Sequence, residues 1–518
     1  ELERLNTDDR ESGVLTYDGV HMLPAGNALI ADEIASSLAS AIAMPEHTTE
    51  LGLVPAPRSV EKYGLDRRVG LTHVHVTTSN RELEPQRAAL EAQLVALGAT
   101  VDRDQGAKIE LRLDTTLGFR DLYRLDVSSM EITVSATRAD IVPYASADLL
   151  QLCSASVAAG DKLWVPHATI LDGPGVDFRA LLVDVARKPH SLRVLKQLVE
   201  LCHFYKLRYL QLHLTDDQAF TFPSIAFPEL VTPEQHYTQA ELRELVAYAD
   251  ARGVVLIPEL EMPGHCGQLV ARKPELFRAS PLHHATIDFA NPAVVAAMET
   301  LVAEACDVFR SSPWFHIGGD ECDLEHVADS PHFAPALARE GVANARELYR
   351  KFLVHMHAVV KRHGKRTLVW EGFAPGGEVE IPRDLVVVAY EALYYPPDAL
   401  LRDGYTVVNA AWKPLYVVND RRWSPREIYG WNRFLWQHFI EGFPAFRGLQ
   451  VAPNELVLGA MLCAWEQPES AELESLVERV PAFAERLWRP KLRSDFADFE
   501  RRRAAGAAAL AKLLDGVR

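Results

Sequence analysis

Between residues 180 and 465 the chain returns eight times to a short, almost wholly apolar run: 180–185, 209–214, 254–260, 314–318, 367–371, 385–390, 406–410 and 458–465. Runs this short and this apolar read as strands buried on both faces, which requires a sheet covered by helices. Helical spacing recurs between most of them. Leu192, Leu195, Leu198, Val199 and Cys202 form one such stripe, Leu242, Leu245, Val246 and Ala249 a second, and Leu348, Phe352, Val359 and Val360 a third. Eight strand-then-helix units predict an α/β chain folded as a parallel (β/α)8 barrel over residues 171–490, with an open doubly wound sheet as the alternative.

A chain of 518 residues exceeds one ordinary domain, and the remainder divides into three further pieces. Residues 51–170 hold apolar–polar alternation at 72–76, 108–113 and 129–134, with helical runs at 86–97 and 145–158, so a small α+β domain is expected there. Residues 491–518 read as a C-terminal helix, and residues 1–50 as a tail and linker. The first residue is Glu1, with no basic and apolar leader behind it, so a longer native N-terminus is expected and the compartment stays open. The formal net charge of -17 argues against nucleic acid and anionic membranes as partners, and no apolar run reaches the ~18 residues of a membrane span. The six scattered cysteines form no CxxC pair and are expected to be free, buried thiols.

Polar residues gather where the predicted strands end. Strand 1 ends in Asp184-Val185-Ala186-Arg187, strand 2 in His213-Leu214-Thr215-Asp216-Asp217, and strand 3 in Glu259-Leu260-Glu261-Met262-Pro263-Gly264-His265. Strand 4 ends in His316-Ile317-Gly318-Gly319-Asp320-Glu321, strand 5 in Trp370-Glu371 and strand 8 in Trp465-Glu466-Gln467, while strand 7 leads to Trp412 and Tyr416. The C-terminal rim is where a parallel barrel carries its chemistry. Carboxylates there supply acid catalysis, and flat indoles stack on the apolar faces of pyranose rings, so the pattern suggests a sugar site. One Asp at a strand end would read as a helix cap, and Asp320-Glu321 alone as two solvated acids in a turn. Neighbouring residues of a regular strand point to opposite sides, so the chain must bend if both acids are to face one pocket; two preceding glycines permit that bend.

These four blocks on strands 1 to 4 resemble the family 20 glycoside hydrolases, the β-N-acetylhexosaminidases, over roughly residues 53–488. The resemblance implies a retaining exo-enzyme acting on glycans or chitooligosaccharides that end in β-linked GlcNAc or GalNAc. It implies substrate-assisted catalysis through an oxazolinium, with neither cofactor nor metal. Glu321 then matches the general acid/base, Asp320 the group that orients the acetamido N–H and offsets the oxazolinium charge, and Tyr416 the partner of the acetamido oxygen. Trp370, Trp465 and one of Trp412 or Trp431 wall the sugar, and Arg179 matches an arginine gripping its hydroxyls. Asp217, Glu259 and His265 surround and tune the acid, backed by His213 and His316. Gln467 falls where the family has a glutamate and Val418 where it has an aspartate, both toward the outer hydroxyls; Gln211 and Ala219-Phe220 depart from the pattern as well. Glu321 itself is expected partly buried beside another acid, which would keep it protonated near neutrality.

Residues 1–44 resemble the C-terminal end of an SGNH/GDSL esterase domain, through Asp18-Gly19-Val20-His21 and Pro24-Ala25-Gly26-Asn27, without the nucleophilic serine block. A metal-dependent hydrolase using His213, Asp216, Asp217, Glu259 and His265 is the main competing reading, though these histidines lack a compact H-x-x-x-H spacing. A glycan-binding protein without catalysis would keep the tryptophans but has no need of Glu321.

Overall fold

The computed structural model describes residues 51–118, 121–129, 131–419, 421–489 and 494–517. The esterase-like tail falls outside the described residues. Eight parallel strands close a barrel: Phe178–Asp184, Tyr209–His213, Val255–Met262, Trp314–Gly318, Arg366–Trp370, Val386–Ala389, Thr406–Asn409 and Val457–Ala464, the eighth pairing with both the first and the seventh. The expected (β/α)8 barrel is therefore present, each strand within a residue or two of its apolar run. Leu192–Phe204, Gln239–Asp250, Pro292–Val308, Ala345–Arg362 and Glu469–Trp488 are the longer helices around it. The second of these opens with a capping box in which Thr238 and Glu241 bond each other's backbone N–H.

The barrel interior is filled rather than open. Trp314 packs edge to face on Phe178 and Tyr209 at its N-terminal end, and Ile257, Leu368, Val386, Val388, Val408 and Met461 continue the core upward. Beyond this plug, a pocket opens at the C-terminal rim. Register then fixes what lines that end: Asp184 pairs with His213, His213 with Glu259, and Glu259 with His316.

The small domain is a seven-stranded sheet in the order Ser59–Gly70, Trp164–Asp172, Tyr123–Val127, Ile132–Ala136, Ala107–Leu113, His73–Thr78, Thr100–Val101. Sequence alternation indicates the three strands at 73–78, 107–113 and 132–136 but not Ser59–Gly70, Thr100–Val101, Tyr123–Val127 or Trp164–Asp172. Helix Val142–Leu152 is buried at every position, because it lies between this sheet and helix Leu192–Phe204 of the barrel. The C-terminal helix Phe496–Asp515 does not stand apart as a separate piece: it packs on small-domain helices Glu84–Leu97 and Ser154–Ala159 and on barrel helix Leu192–Phe204. All six cysteines are free, five of them buried, and among the described residues no helix is long and apolar enough to cross a membrane.

Candidate active site

At the C-terminal rim a pocket of about 230 Å³ opens among Trp370, Tyr390, Trp412, Tyr416 and Trp465 on one side and Arg187, His213, Glu261, His265, Asp320, Glu321, Glu391 and Glu466 on the other, with Val418 at its edge. The aromatic groups form a connected wall. Trp412 lies 4.3 Å from Tyr416 between centroids, Tyr416 stacks on Tyr390 at 6.3 Å, and Trp370 meets Trp465 at 5.9 Å. A wider surface concavity of about 390 Å³ runs beside Asp384, which pairs with Lys361 and lies 3.1 Å from His357 Nε2.

The two glycines before the acids do what the sequence suggests. Gly318 and Gly319 have φ of +66° and +103°, and a Cβ on Gly318 would stand 2.0 Å from the Glu261 carboxylate. No other residue type allows that approach. Glu321 follows with φ +46°, so Asp320 and Glu321 both reach the pocket. Of six non-glycine residues with positive φ among those described, His265, Glu321, Ala392 and Glu466 stand at or beside this pocket. Backbone held in that region is costly and persists where surrounding contacts impose it.

The charges form a layered network. His213 Nε2 is 2.8 Å from Asp216 Oδ2, and its Nδ1 is 3.1 Å from Glu259 Oε2. Glu259 also accepts from Trp370 Nε1 at 2.6 Å and from Gln211 Nε2 at 2.9 Å, so it fixes the indole that walls the pocket. Burial opposes the charge on Glu259, but the adjoining imidazoles outweigh it and hold the carboxyl below its usual range. His316 Nδ1 accepts the Gly318 N–H, which makes that ring the Nε2–H tautomer, and burial pushes its pKa down to about 4. Glu261 is driven well up by burial and by Asp320 and Glu259 close by.

His265 stands between the acids, 3.8 Å from Asp320 Oδ2 and 3.5 Å from Glu321 Oε2, with Asp216 Oδ1 3.6 Å away on its other side. Burial opposes its charge, but Asp216 and Glu321 push it up to about 12. Burial pushes Asp320 up to about 6, with His265 pulling against the rise and Glu321 adding to it. The expected rise of the Glu321 pKa is not found: its direction is the opposite. Its side chain is 53% exposed, and the hydrogen bond from His265 lowers its pKa. Asp320, not Glu321, is the buried member of the pair.

The candidate residues separate by where the fold puts them. Asp320, Glu321, Tyr416, His265, His213, Trp370, Trp412 and Trp465 share the pocket, and Glu259 and His316 lie directly behind Trp370. Arg179 does not join them. It sits at the start of strand 1, at the opposite end of the barrel, buried and bonded to Tyr144 Oη and the carbonyl of Lys206. The arginine in the pocket is Arg187, at the other end of the same strand, paired with Asp184 at 3.1 Å and Asp216 at 2.7 Å. Asp217 turns away to accept the N–H of Gly267 at 2.7 Å. Gln467 is buried and donates to the carbonyls of Val417 and Trp465, while Glu466, with φ +56°, faces the pocket in its place. Trp431 bonds the Leu435 carbonyl and stacks on Phe483, away from the site.

Five lining residues are not singled out by the sequence: Arg187, Glu261, Glu466, Tyr390 and Glu391. The first three stand within the strand-end motifs, and the rule that the C-terminal end of a strand carries function favours Arg187 over Arg179. Tyr390 and Glu391 follow strand 6, whose end carried no motif. Their loop is held by Glu371, whose carboxylate accepts the backbone N–H groups of Tyr390, Ala392, Leu393 and Tyr394 at 2.8–3.2 Å.

Residues 177–491, more than half of the chain, match the model of the catalytic domain of glycosyl hydrolase family 20. A β-hexosaminidase of Vibrio furnissii is 30% identical over 410 residues, covering 73% of this chain and 66% of that protein. One of Porphyromonas gingivalis is 25% identical over 510 residues, covering 90% of this chain and 64% of its own. The chain thus spans about two thirds of the length of these relatives. Among solved structures, a family 20 exo-β-N-acetylglucosaminidase from Vibrio harveyi in complex with N-acetylglucosamine shares the fold with a TM-score of 0.75 at 23% identity, covering 90% of this chain and 78% of its own. The β-N-acetylhexosaminidase of Streptomyces coelicolor does so with a TM-score of 0.70 at 23% identity, covering 89% and 96%. With its family match spanning the whole barrel and its acids at the rim, the chain belongs to glycosyl hydrolase family 20.

Proposed function

We propose that the protein is a retaining exo-β-N-acetylhexosaminidase that removes terminal non-reducing β-linked GlcNAc or GalNAc from glycans or chitooligosaccharides. The observation that carries this reading is the pairing of Asp320 with Glu321 inside a five-ring aromatic pocket, where Asp320 Oδ1 and Tyr390 Oη are buried without a partner in the protein. Buried polar atoms without partners call for a ligand that supplies them: an acetamido N–H serves Asp320 Oδ1, and a further oxygen of the sugar serves the Tyr390 hydroxyl.

The sugar is gripped by the indoles of Trp370, Trp412 and Trp465, with Arg187 and Glu466 meeting its outer hydroxyls. The acetamido N–H donates to Asp320, and the Tyr416 hydroxyl holds the acetamido oxygen. That oxygen attacks C1, the bond from C1 to the leaving oxygen breaks, and Glu321 passes its proton to the leaving oxygen. The bicyclic oxazolinium carries positive charge that the Asp320 carboxylate offsets. Water then adds to C1, giving a proton to Glu321 and restoring the acetamido group with retained configuration. A sugar seated between His265 and Glu321 separates the pair that lowers the Glu321 pKa and takes water from around its carboxyl. Both effects favour the protonated acid the first step requires.

A panel of nitrophenyl glycosides tests this. The β-N-acetylglucosaminide and β-N-acetylgalactosaminide should be hydrolysed and the plain β-glucoside left intact, because in this mechanism the acetamido oxygen, not an enzyme carboxylate, is the nucleophile. Comparable turnover of the glucoside would remove the mechanism.

A further inference from the structure

Two residues beyond Glu321, Asp323 receives two imidazoles. His326 Nδ1 lies 2.6 Å and His283 Nδ1 2.9 Å from the same oxygen, Asp323 Oδ2. The two rings are stacked, 5.8 Å apart and only 7° from parallel. Oδ1 of Asp323 accepts the backbone N–H groups of Glu325 and His326, at 2.9 and 3.1 Å, which fixes the carboxylate with Oδ2 forward. One ligand atom from each side chain falls within 4.8 Å of the other two, and all three side chains are partly open to solvent.

Two imidazole nitrogens and one carboxylate oxygen are the donor set of a zinc-class divalent ion, with a remaining position for water. A tetrahedral ion with bonds of about 2.0–2.1 Å keeps its ligand atoms roughly 3.3 Å apart, so side-chain shifts of under about 1 Å would admit one. The backbone bonds to Oδ1 supply the support that orients a ligating carboxylate. The three residues come from two segments. His283 lies on the hairpin of Arg278–Ser280 and His283–Ile287, after barrel strand 3, whereas Asp323 and His326 lie on the loop that carries Asp320 and Glu321. The Asp323 N–H already donates to Thr286 Oγ1 on that hairpin at 3.0 Å.

We propose that His283, Asp323 and His326 form a site for a zinc-class divalent cation that ties this hairpin to the catalytic loop, outside the sugar pocket. None of the three lines the pocket. The site holds structure and takes no part in the hydrolytic step, so it stands whether or not the proposed substrate is right.

The experiment is calorimetric titration of the full chain, stripped with EDTA and desalted, with Zn²⁺ alone. One ion per chain should bind and raise the melting temperature. His283→Ala and His326→Ala should each weaken binding at least tenfold. Asp323→Asn, whose amide oxygen can still accept the two backbone N–H groups, should do the same with an unchanged circular dichroism spectrum. No saturable binding would overturn the proposal. So would binding that survives these substitutions but is lost in His265→Ala, which would put the ion among His265, Asp320 and Glu321 instead.

Discussion

Asp320 and Glu321 are adjacent in the chain but occupy different environments, and the roles proposed for them follow from that difference. Glu321 is half exposed beside His265, while Asp320 is buried under the aromatic wall. An acid that protonates a leaving oxygen matters in proportion to how poor the leaving group is. Glu321→Gln should therefore slow natural oligosaccharides by roughly 10²–10⁴-fold, and aryl glycosides with acidic phenols far less. Asp320→Asn should slow good and poor leaving groups alike. Rates across aryl glycosides of graded phenol pKa check this: a steeper slope for Glu321→Gln is expected, and a steeper slope for Asp320→Asn would exchange the two roles. The second prediction concerns pH. In the proposed mechanism Asp320 must be ionised to offset oxazolinium charge, and its pKa is raised to about 6. Protonation therefore removes activity as the pH falls through about 6. kcat/KM, which reports the free enzyme, should decline below that value for the group formed by Asp320, Glu321 and His265 titrating together. Asp320→Asn should lack this acid limb.

At the scale of an element, the loop after strand 6 shows how a pocket wall is held without a strand or helix of its own. Glu371, at the end of strand 5, accepts four backbone N–H groups from residues 390–394, and Tyr390 and Glu391 reach the pocket from that loop. Burial pushes Glu371 up to about 8 in spite of those donors. Glu371→Ala leaves the N–H groups without an acceptor. It should lower stability by about 1–3 kcal/mol in denaturant unfolding and raise KM, because one aromatic wall loses its anchor. An unchanged KM would show that the loop is held by its packing alone. Residues 390–394 carry no sequence motif, because their conformation is imposed by a side chain some twenty positions earlier. The acidic loop after strand 4 is the contrary case: Gly318 and Gly319 mark it in the sequence, because the need for positive φ is a local one.

At the scale of the molecule, the small domain and barrel are joined through buried charge. Arg502 of the C-terminal helix, fully buried, bonds the Leu53 carbonyl at 2.9 Å and pairs with Glu485 of the last barrel helix at 3.0 Å. Lys206 of the barrel reaches Asp148 and Tyr123 of the small domain, and Asp172 accepts from Trp488 Nε1. Removing one partner of such a pair strands the other charge. Arg502→Ala should therefore cost about 3–5 kcal/mol, measured by denaturant unfolding, with KM unaltered because the pocket lies at the other end of the barrel. A loss below 1 kcal/mol would mean that water reaches Glu485.

Sequence alone determined the barrel, its eight strands and the acids on strand 4, because each depends on local pattern: apolar runs of strand length, helical spacing and glycines before the bend. The rule that strand C-termini carry function favours Arg187 over Arg179, but nothing local separates Gln467 from Glu466. Each pair bounds or ends one strand, and the closed barrel fixes which end is open and which way the last residue turns. Arg179 lies at the filled N-terminal end and Arg187 at the rim, and a φ of +56° at Glu466 brings that residue to the pocket and leaves Gln467 buried. The protonation pattern likewise belongs to tertiary structure. His265 comes from the loop after strand 3 and the acids from the loop after strand 4, and only their packing sets the charges that each one faces.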